Sequence, residues 1–212
     1  MRLELQVIFR MSNRIRVSSH LASGLLLLTG LIFTASSCVQ CGQRGREQKP
    51  AITTHTNPSL PGPLPQPTGH VNDHANALDD GMRAQLEQAL TELKVRAQIE
   101  FAIAIVNTTG GRPIFDYSLA VMRGWNVGAG GDGILLTIAI DDRQWCVQTS
   151  RKLERDLSNE KVKGAAEVMK APFGEGHYGE GIRRGVVALI KILAAKRGFA
   201  PISIPEPLLR GN

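Results

Sequence analysis

Apolar residues follow two spacings between about residue 70 and residue 198. Residues 98–106 and 133–140 are almost continuously apolar, which is typical of strands buried on both faces of a sheet. Four other stretches repeat apolar residues every three or four positions, which predicts amphipathic helices. These stretches begin at Met82, Ile114, Val162 and Ile182. The alternation of helices and strands predicts an α/β fold with helices on both faces of the sheet.

Local signals refine this outline. Asp79 stands immediately before the first amphipathic stretch, where an N-cap residue is expected. Asp141 and Asp142 separate the strand over residues 133–140 from a short apolar run over residues 145–149, which predicts an antiparallel hairpin. We interpret these two acids as turn residues rather than as ligands. The sheet is therefore expected to be small and mixed.

The first 37 residues are typical of a secretory signal peptide. Basic residues up to Arg16 precede a short apolar core, residues 21–33, and small residues follow it. This core is shorter than the roughly 20 apolar residues that a membrane-spanning helix needs. We expect residues 1–37 to be removed on export. Met11 is an alternative start of the translated chain, because the basic region of a leader is normally shorter.

Cys38 follows the small residues Ala35, Ser36 and Ser37, and this run resembles a bacterial lipobox. In such a signal the cysteine carries the lipid and becomes the new amino terminus. This predicts an extracytoplasmic protein that is anchored to a membrane at Cys38, in the cell envelope or on the periplasmic face. Ordinary cleavage after Ser37 is the alternative, since Ala35 and Ser37 also suit a signal peptidase. That alternative predicts a secreted protein.

Residues 38–69 form a proline-rich tether. The segment contains six prolines and almost no apolar periodicity. Closely spaced prolines favour the polyproline II conformation, which extends by about 3.1 Å per residue. The folded domain is expected over residues 70–198, and residues 199–212 are expected to form a flexible carboxyl-terminal tail.

The formal net charge of +6 is concentrated outside the predicted domain. Four arginines and one glutamate give residues 1–37 a net charge of +3, and residues 38–69 add +2. Only +1 remains for residues 70–212. Because a nucleic-acid-binding protein concentrates basic residues on its folded domain, the charge distribution argues against a nucleic-acid partner.

Five motifs occur in a fixed order along residues 70–197. They are VNDHANAL (residues 71–78), QIEFAIAIV (98–106), WNVG (125–128), GILLTIAIDDR (133–143) and FGEGHYGEGI (173–182). Their colinear order resembles the TPM domain family. The resemblance implies a three-layer α/β/α sandwich and an extracytoplasmic location. It also implies either acid phosphatase activity with divalent-metal binding, or a role exerted through protein partners.

Three acids are candidate metal ligands: Asp73, Asp132 and Glu154. Ca²⁺ and Mg²⁺ need several oxygen ligands that converge on one point, and the loops at one edge of the sheet would bring these acids together. A bound metal would then clamp a phosphate oxygen and activate water. Each acid also has a structural interpretation. Asp73 and Asp132 would organise turns, and Glu154 would be solvated or paired with Arg151.

The chain departs from the family pattern near these acids. Where relatives show Asp-Asn-Gly, residues 131–133 read Gly-Asp-Gly. Where relatives show a glycine-bracketed turn, residues 149–152 read Thr-Ser-Arg-Lys, which adds two cations. Residues 157–159 read Leu-Ser-Asn in place of Leu-Thr-Asp, which removes an acid.

Two other motifs are interpreted as structural. Gly128, Gly130 and Gly133 spell G-x-G-x-x-G, but they follow a helix and open a strand. Dinucleotide binding requires the reverse order, so no nucleotide cofactor is expected. Cys146 stands alone on a predicted strand and is expected to be a small core residue.

Two functions remain open. The favoured one is a membrane-tethered module that assists the assembly or maintenance of envelope proteins through an envelope protein partner. The alternative is a phosphatase of low specificity that uses Ca²⁺ or Mg²⁺, for which the three acids must converge in a cleft. No side chain is identified as catalytic.

Overall fold

The computed structural model describes residues 6–10 and 64–206. Its centre is a five-stranded mixed sheet with the strand order β1-β5-β4-β3-β2. The strands are β1 (Gln6–Arg10), β2 (Val71–Asp73), β3 (Ile99–Val106), β4 (Asp132–Ala139) and β5 (Gln144–Thr149). Strands β2, β3 and β4 are parallel, whereas β5 runs antiparallel to both β4 and β1.

Helices cover both faces of this sheet. They are α1 (Asp80–Ala97), α2 (Ile114–Gly124), α3 (Asn159–Gly174) and α4 (Tyr178–Arg197), with a 3₁₀ turn at Leu153–Arg155. Helices α1, α3 and α4 contribute to one hydrophobic core, and α2 contributes to a second core on the opposite face. The three-layer α/β/α sandwich and the mixed sheet that the sequence predicts are thereby confirmed.

Side chains of β3 alternate between the two cores, as successive residues of a strand must. Phe101 and Ile103 lie in the larger core, whereas Ala102 and Ala104 lie in the smaller core beneath α2. Because both faces are buried, the strand is apolar without interruption, which is the pattern that predicts it.

The domain is longer at both ends than the sequence predicts. Leu64 packs against the smaller core, and the indole N–H of Trp125 donates to the Pro65 carbonyl at 2.7 Å. Ile202 and Ile204, which fall in the predicted flexible tail, are buried in the larger core. Single apolar residues among prolines have no periodicity, and periodicity is the signal on which the predicted boundaries depend.

Strand β1 lies inside the segment that the sequence assigns to the signal peptide. It pairs with β5, so that Val7 lies opposite Val147 and Phe9 lies opposite Trp145. The sequence predicts no strand there, because a basic segment ahead of an apolar core is expected to be removed. Cys38 and most of the leader and tether lie outside the described residues. No helix in the described part of the chain is long and apolar enough to cross a membrane.

Two glycines fix how the chain enters β4. Gly128 has φ +70°, and a Cβ on Gly133 would lie 2.5 Å from the Gly128 Cα. The backbones therefore approach more closely than any side chain allows. The G-x-G-x-x-G motif therefore marks a tight turn between α2 and β4, which agrees with its structural interpretation from the sequence.

A cluster of charged residues holds the residues after α4 against the first two turns of that helix. Arg183 donates to both carboxylate oxygens of Glu180 at 2.8 and 2.9 Å, and to the Ile204 carbonyl at 3.3 Å. Arg184 adds a bond of 2.6 Å to Glu180, and Glu206 accepts from Arg183 at 3.2 Å. The hydrogen bond from Arg183 is the main cause that lowers the pKa of Glu180 to about 2, against a smaller opposing effect of burial.

A carboxylate with a lowered pKa stabilises the fold above its ordinary pKa of 4.5, and this contribution is lost as the pH falls toward 2. At pH 6 to 7 we expect Glu180→Gln to reduce the free energy of unfolding by about 2 kcal/mol. The difference from the unmodified chain should shrink between about pH 5 and pH 2. Urea denaturation monitored by circular dichroism at each pH measures it.

The matched control is Glu160→Gln, which removes an exposed acid from the first turn of α3. It should change the free energy of unfolding by less than about 0.5 kcal/mol. A constant difference between Glu180→Gln and the unmodified chain across the whole pH range would contradict the assignment.

Candidate functional site

Asp73 ends β2 and organises the loop that follows. Its Oδ1 accepts the N–H groups of Ala75 and Ala77, both at 3.1 Å, and its Oδ2 accepts that of Leu78 at 2.9 Å. Arg83 lies 3.4 Å from the same Oδ2, and the Asp73 side chain is fully buried. Its oxygens are therefore engaged within the loop, as the structural interpretation predicts.

Asp132 is the first residue of β4, and its side chain forms an ion pair instead of organising a turn. Its Oδ2 accepts from Nη1 of Arg197 at 2.9 Å. The same guanidinium reaches Oδ2 of Asp156 at 2.7 Å through Nη2. Burial by itself would lower the pKa of Arg197, but the two carboxylates raise it above its ordinary value. One guanidinium thus joins the end of α4 to the start of β4.

The strand register separates Asp73 from Asp132. Asp73 pairs with Ile105, whereas Asp132 pairs with Ile99, six residues earlier on β3. At about 3.3 Å per residue, the two acids are roughly 20 Å apart along the strands. Asp73 is the last residue of β2, at its carboxyl end, and Asp132 is the first residue of β4, at its amino end. They cannot bind the same ion.

Glu154 lies at the Asp132 end of the sheet, in the 3₁₀ turn after β5. Its Oε1 is buried and accepts no hydrogen bond from the described residues. Within residues 64–206 no three acidic, histidine or cysteine side chains are arranged to hold a metal ion. The structure therefore does not bring the three predicted ligands together, and Arg197 provides a fixed positive charge beside one of them.

The turn acids and the core cysteine lie where the sequence predicts. Asp142 accepts the Thr109 N–H at 2.7 Å and the Thr108 hydroxyl at 2.9 Å. Burial would raise the pKa of Asp142, but these bonds lower it below its ordinary value. Cys146 is free and buried in the smaller core. Burial is the main reason that its pKa rises to about 12, so its thiol is not a nucleophile at neutral pH.

The backbone of β5 presents a row of hydrogen-bonding groups away from β4. The Ser150 N–H donates to the Gly133 carbonyl of β4 at 2.8 Å. Because successive residues of a strand alternate the side to which they donate, Trp145, Val147 and Thr149 direct their N–H groups toward β1. In the structure β1 covers this side of β5, and motif analysis does not identify such a row, since backbone groups have no sequence signature.

Comparisons with known proteins place the chain in context. The model of the TPM domain matches residues 71–192, which is more than half of the chain. The fold is similar to that of the N-terminal domain of a P. gingivalis protein, with a TM-score of 0.58 and 26% identity over 62% of this chain and 86% of that one. A comparison with curated proteins finds no match.

A second solved structure has the same fold at lower identity. It is the N-terminal domain of a Corynebacterium glutamicum protein, with a TM-score of 0.50 and 11% identity over 74% of this chain and 100% of that one. The order of elements in the sandwich, the colinear motifs and the match over residues 71–192 agree. The chain belongs to the TPM domain family.

Proposed function

We propose that this chain is a membrane-tethered extracytoplasmic module that binds an extended segment of an envelope protein and adds it to the sheet at β5. The observation that carries the proposal is the antiparallel pairing of β1 with β5. In this pairing β5 takes up a strand from outside the TPM domain match, which supports the proposal. A role in the assembly or maintenance of envelope proteins follows from binding segments that have not yet folded.

Processing of the leader would open this edge. Cleavage before Cys38 removes β1 together with the rest of residues 1–37. The N–H groups of Trp145, Val147 and Thr149 would then lack their strand partner, and unpaired groups at a sheet edge are a template for another chain. Addition of a strand to such an edge is a recurrent way in which proteins recognise extended peptides.

The two faces of β5 define what the partner must carry. Trp145 and Val147 belong to the larger core, whereas Cys146 belongs to the smaller one. On the α2 side, the Gln148 side chain donates to the Phe115 carbonyl at 3.1 Å. Because residues directly opposite each other share a face, partner residues opposite Trp145 and Val147 should be apolar. A partner with apolar residues at alternate positions fits this edge.

The alternative phosphatase assisted by Ca²⁺ or Mg²⁺ gains no support from the carboxylate positions. Asp73 and Asp132 lie at opposite ends of the parallel strands, and the Asp73 oxygens are bonded to backbone N–H groups. We therefore assign no catalytic residue and prefer the binding module.

Opening the β5 edge should create a binding site for an added strand. In β1, Val7 and Phe9 direct their N–H groups to β5, so a Val7→Pro and Phe9→Pro double variant removes both donors. The probe is a fluorescent peptide with the sequence of residues 2–10, titrated into the full chain by fluorescence anisotropy. This variant should bind the peptide at least about tenfold more tightly than the unmodified chain, because the covering strand is weakened.

The control variant is Ile8→Pro with Arg10→Pro, whose N–H groups face away from β5. It has the same number of prolines but should keep β1 in place and bind the peptide no better than the unmodified chain. Equal binding by both double variants, or no binding by either, would contradict strand addition at β5.

The anchor is tested separately. When the full chain is expressed in a bacterium with its leader, it should sediment with membranes, and its amino-terminal peptide should have the mass of a lipid-modified Cys38. Cys38→Ser should move the protein to the soluble extracytoplasmic fraction, since the leader can still be cleaved. An uncleaved chain that retains residues 6–10 would contradict the proposed opening of the edge.

A further inference from the structure

A cavity of about 420 Å³ lies at the end of β5, between that strand, the end of α2 and the glycine loop before β4. Leu119, Met122 and Val127 provide apolar surface, and Arg123 and Arg151 provide positive charge. No acidic residue of the described chain lines it. Its lining therefore combines an apolar surface with two cations, and this favours an anionic group carried on an apolar segment.

The two arginines have no counter-ion among the described residues. Both are exposed, and neither lies within 4.0 Å of a described carboxylate oxygen. The neighbouring Lys152 instead donates to the Gly130 carbonyl at 2.7 Å, which holds the glycine loop. Because Arg123 and Arg151 line one cavity and form no ion pair with the described residues, they can bind a carboxylate from another chain.

The register of β1 shows where an added strand would enter. Gln6 lies opposite Gln148, so a strand that follows the same register approaches β5 from the side of Thr149, Ser150 and Arg151. Those three residues also line the cavity. The residue opposite Ser150 lies on the same face as the residue opposite Gln148, which is the α2 face. It is therefore directed to the side where the cavity lies.

We propose that the partner segment carries an acidic residue at the position opposite Ser150, and that its carboxylate binds between Arg123 and Arg151. This rests on the proposed strand addition and specifies the partner's chemistry. From its amino end, the segment has an acidic residue, two residues of any type and an apolar residue opposite Val147. One further residue then precedes a second apolar residue, which lies opposite Trp145. The first residues of the chain have this pattern in their sequence, with Glu4 three positions before Val7 and five before Phe9.

The test reverses the charge of the two cavity arginines and, separately, that of the acidic residue of the peptide. The full chain with the Val7→Pro and Phe9→Pro substitutions is titrated with the peptide of residues 2–10 and with its Glu4→Lys form. Arg123→Glu combined with Arg151→Glu should weaken binding of the unmodified peptide about tenfold, and the Glu4→Lys peptide should recover most of that loss. Lys163→Glu with Lys191→Glu changes the net charge equally at exposed helix positions away from the cavity and should leave both affinities unchanged.

The other outcomes separate the inference from the function on which it rests. If the peptide binds but the cavity variant does not alter its affinity, the acidic position is wrong and strand addition stands. If the peptide does not bind any variant, the proposed function itself fails. If phosphatidylglycerol vesicles or inorganic phosphate bind through the two arginines while Glu4→Lys leaves peptide affinity unchanged, the cavity binds a different anion and the inference is overturned.

Discussion

The eight-residue parallel ladder between β3 and β4 is the constraint on which the rest of the structure depends. It pairs Ile99 with Asp132 at one end and Val106 with Ala139 at the other. This register determines how far β2, on one side, and β5, on the other, are shifted along the strand direction. It places Asp73 and Asp132 at opposite ends of the sheet, and it brings the end of β5 beside the glycine loop. The positions of the candidate sites are consequences of this ladder.

Most of the domain follows from local patterns. Asp79 caps α1 by accepting the Met82 N–H at 2.8 Å, and Asp142 organises a turn, as a short-range reading of the sequence predicts. The candidate site depends on interactions that local patterns do not encode. Arg197 pairs with Asp132 across 65 positions of sequence. The distance between Asp73 and Asp132 depends on the directions of the strands, and the positions of acidic residues in the sequence do not reveal these directions.

The two proposed functions require different arrangements of polar groups. A metal-assisted phosphatase needs carboxylates that converge, whereas Asp73 bonds backbone N–H groups and Asp132 pairs with Arg197 at the other end of the strands. A binding module needs groups that lack a partner, and the β5 edge supplies them once β1 is removed. Because the ladder hydrogen bonds join backbone groups that nearly every residue has, selectivity must come from side chains. In the proposed module this selectivity comes from the apolar positions opposite Trp145 and Val147 and from the charged cavity at the strand end.

Hydrogen–deuterium exchange of the β5 amides tests the central claim most directly. It compares the unmodified full chain with the Val7→Pro and Phe9→Pro variant, with and without the peptide of residues 2–10. We expect the variant to lose protection at Trp145, Val147 and Thr149, to keep it at Cys146 and Gln148, and to regain it when the peptide is added. Unchanged protection at the three outward amides, or a loss that the peptide does not reverse, would contradict the account.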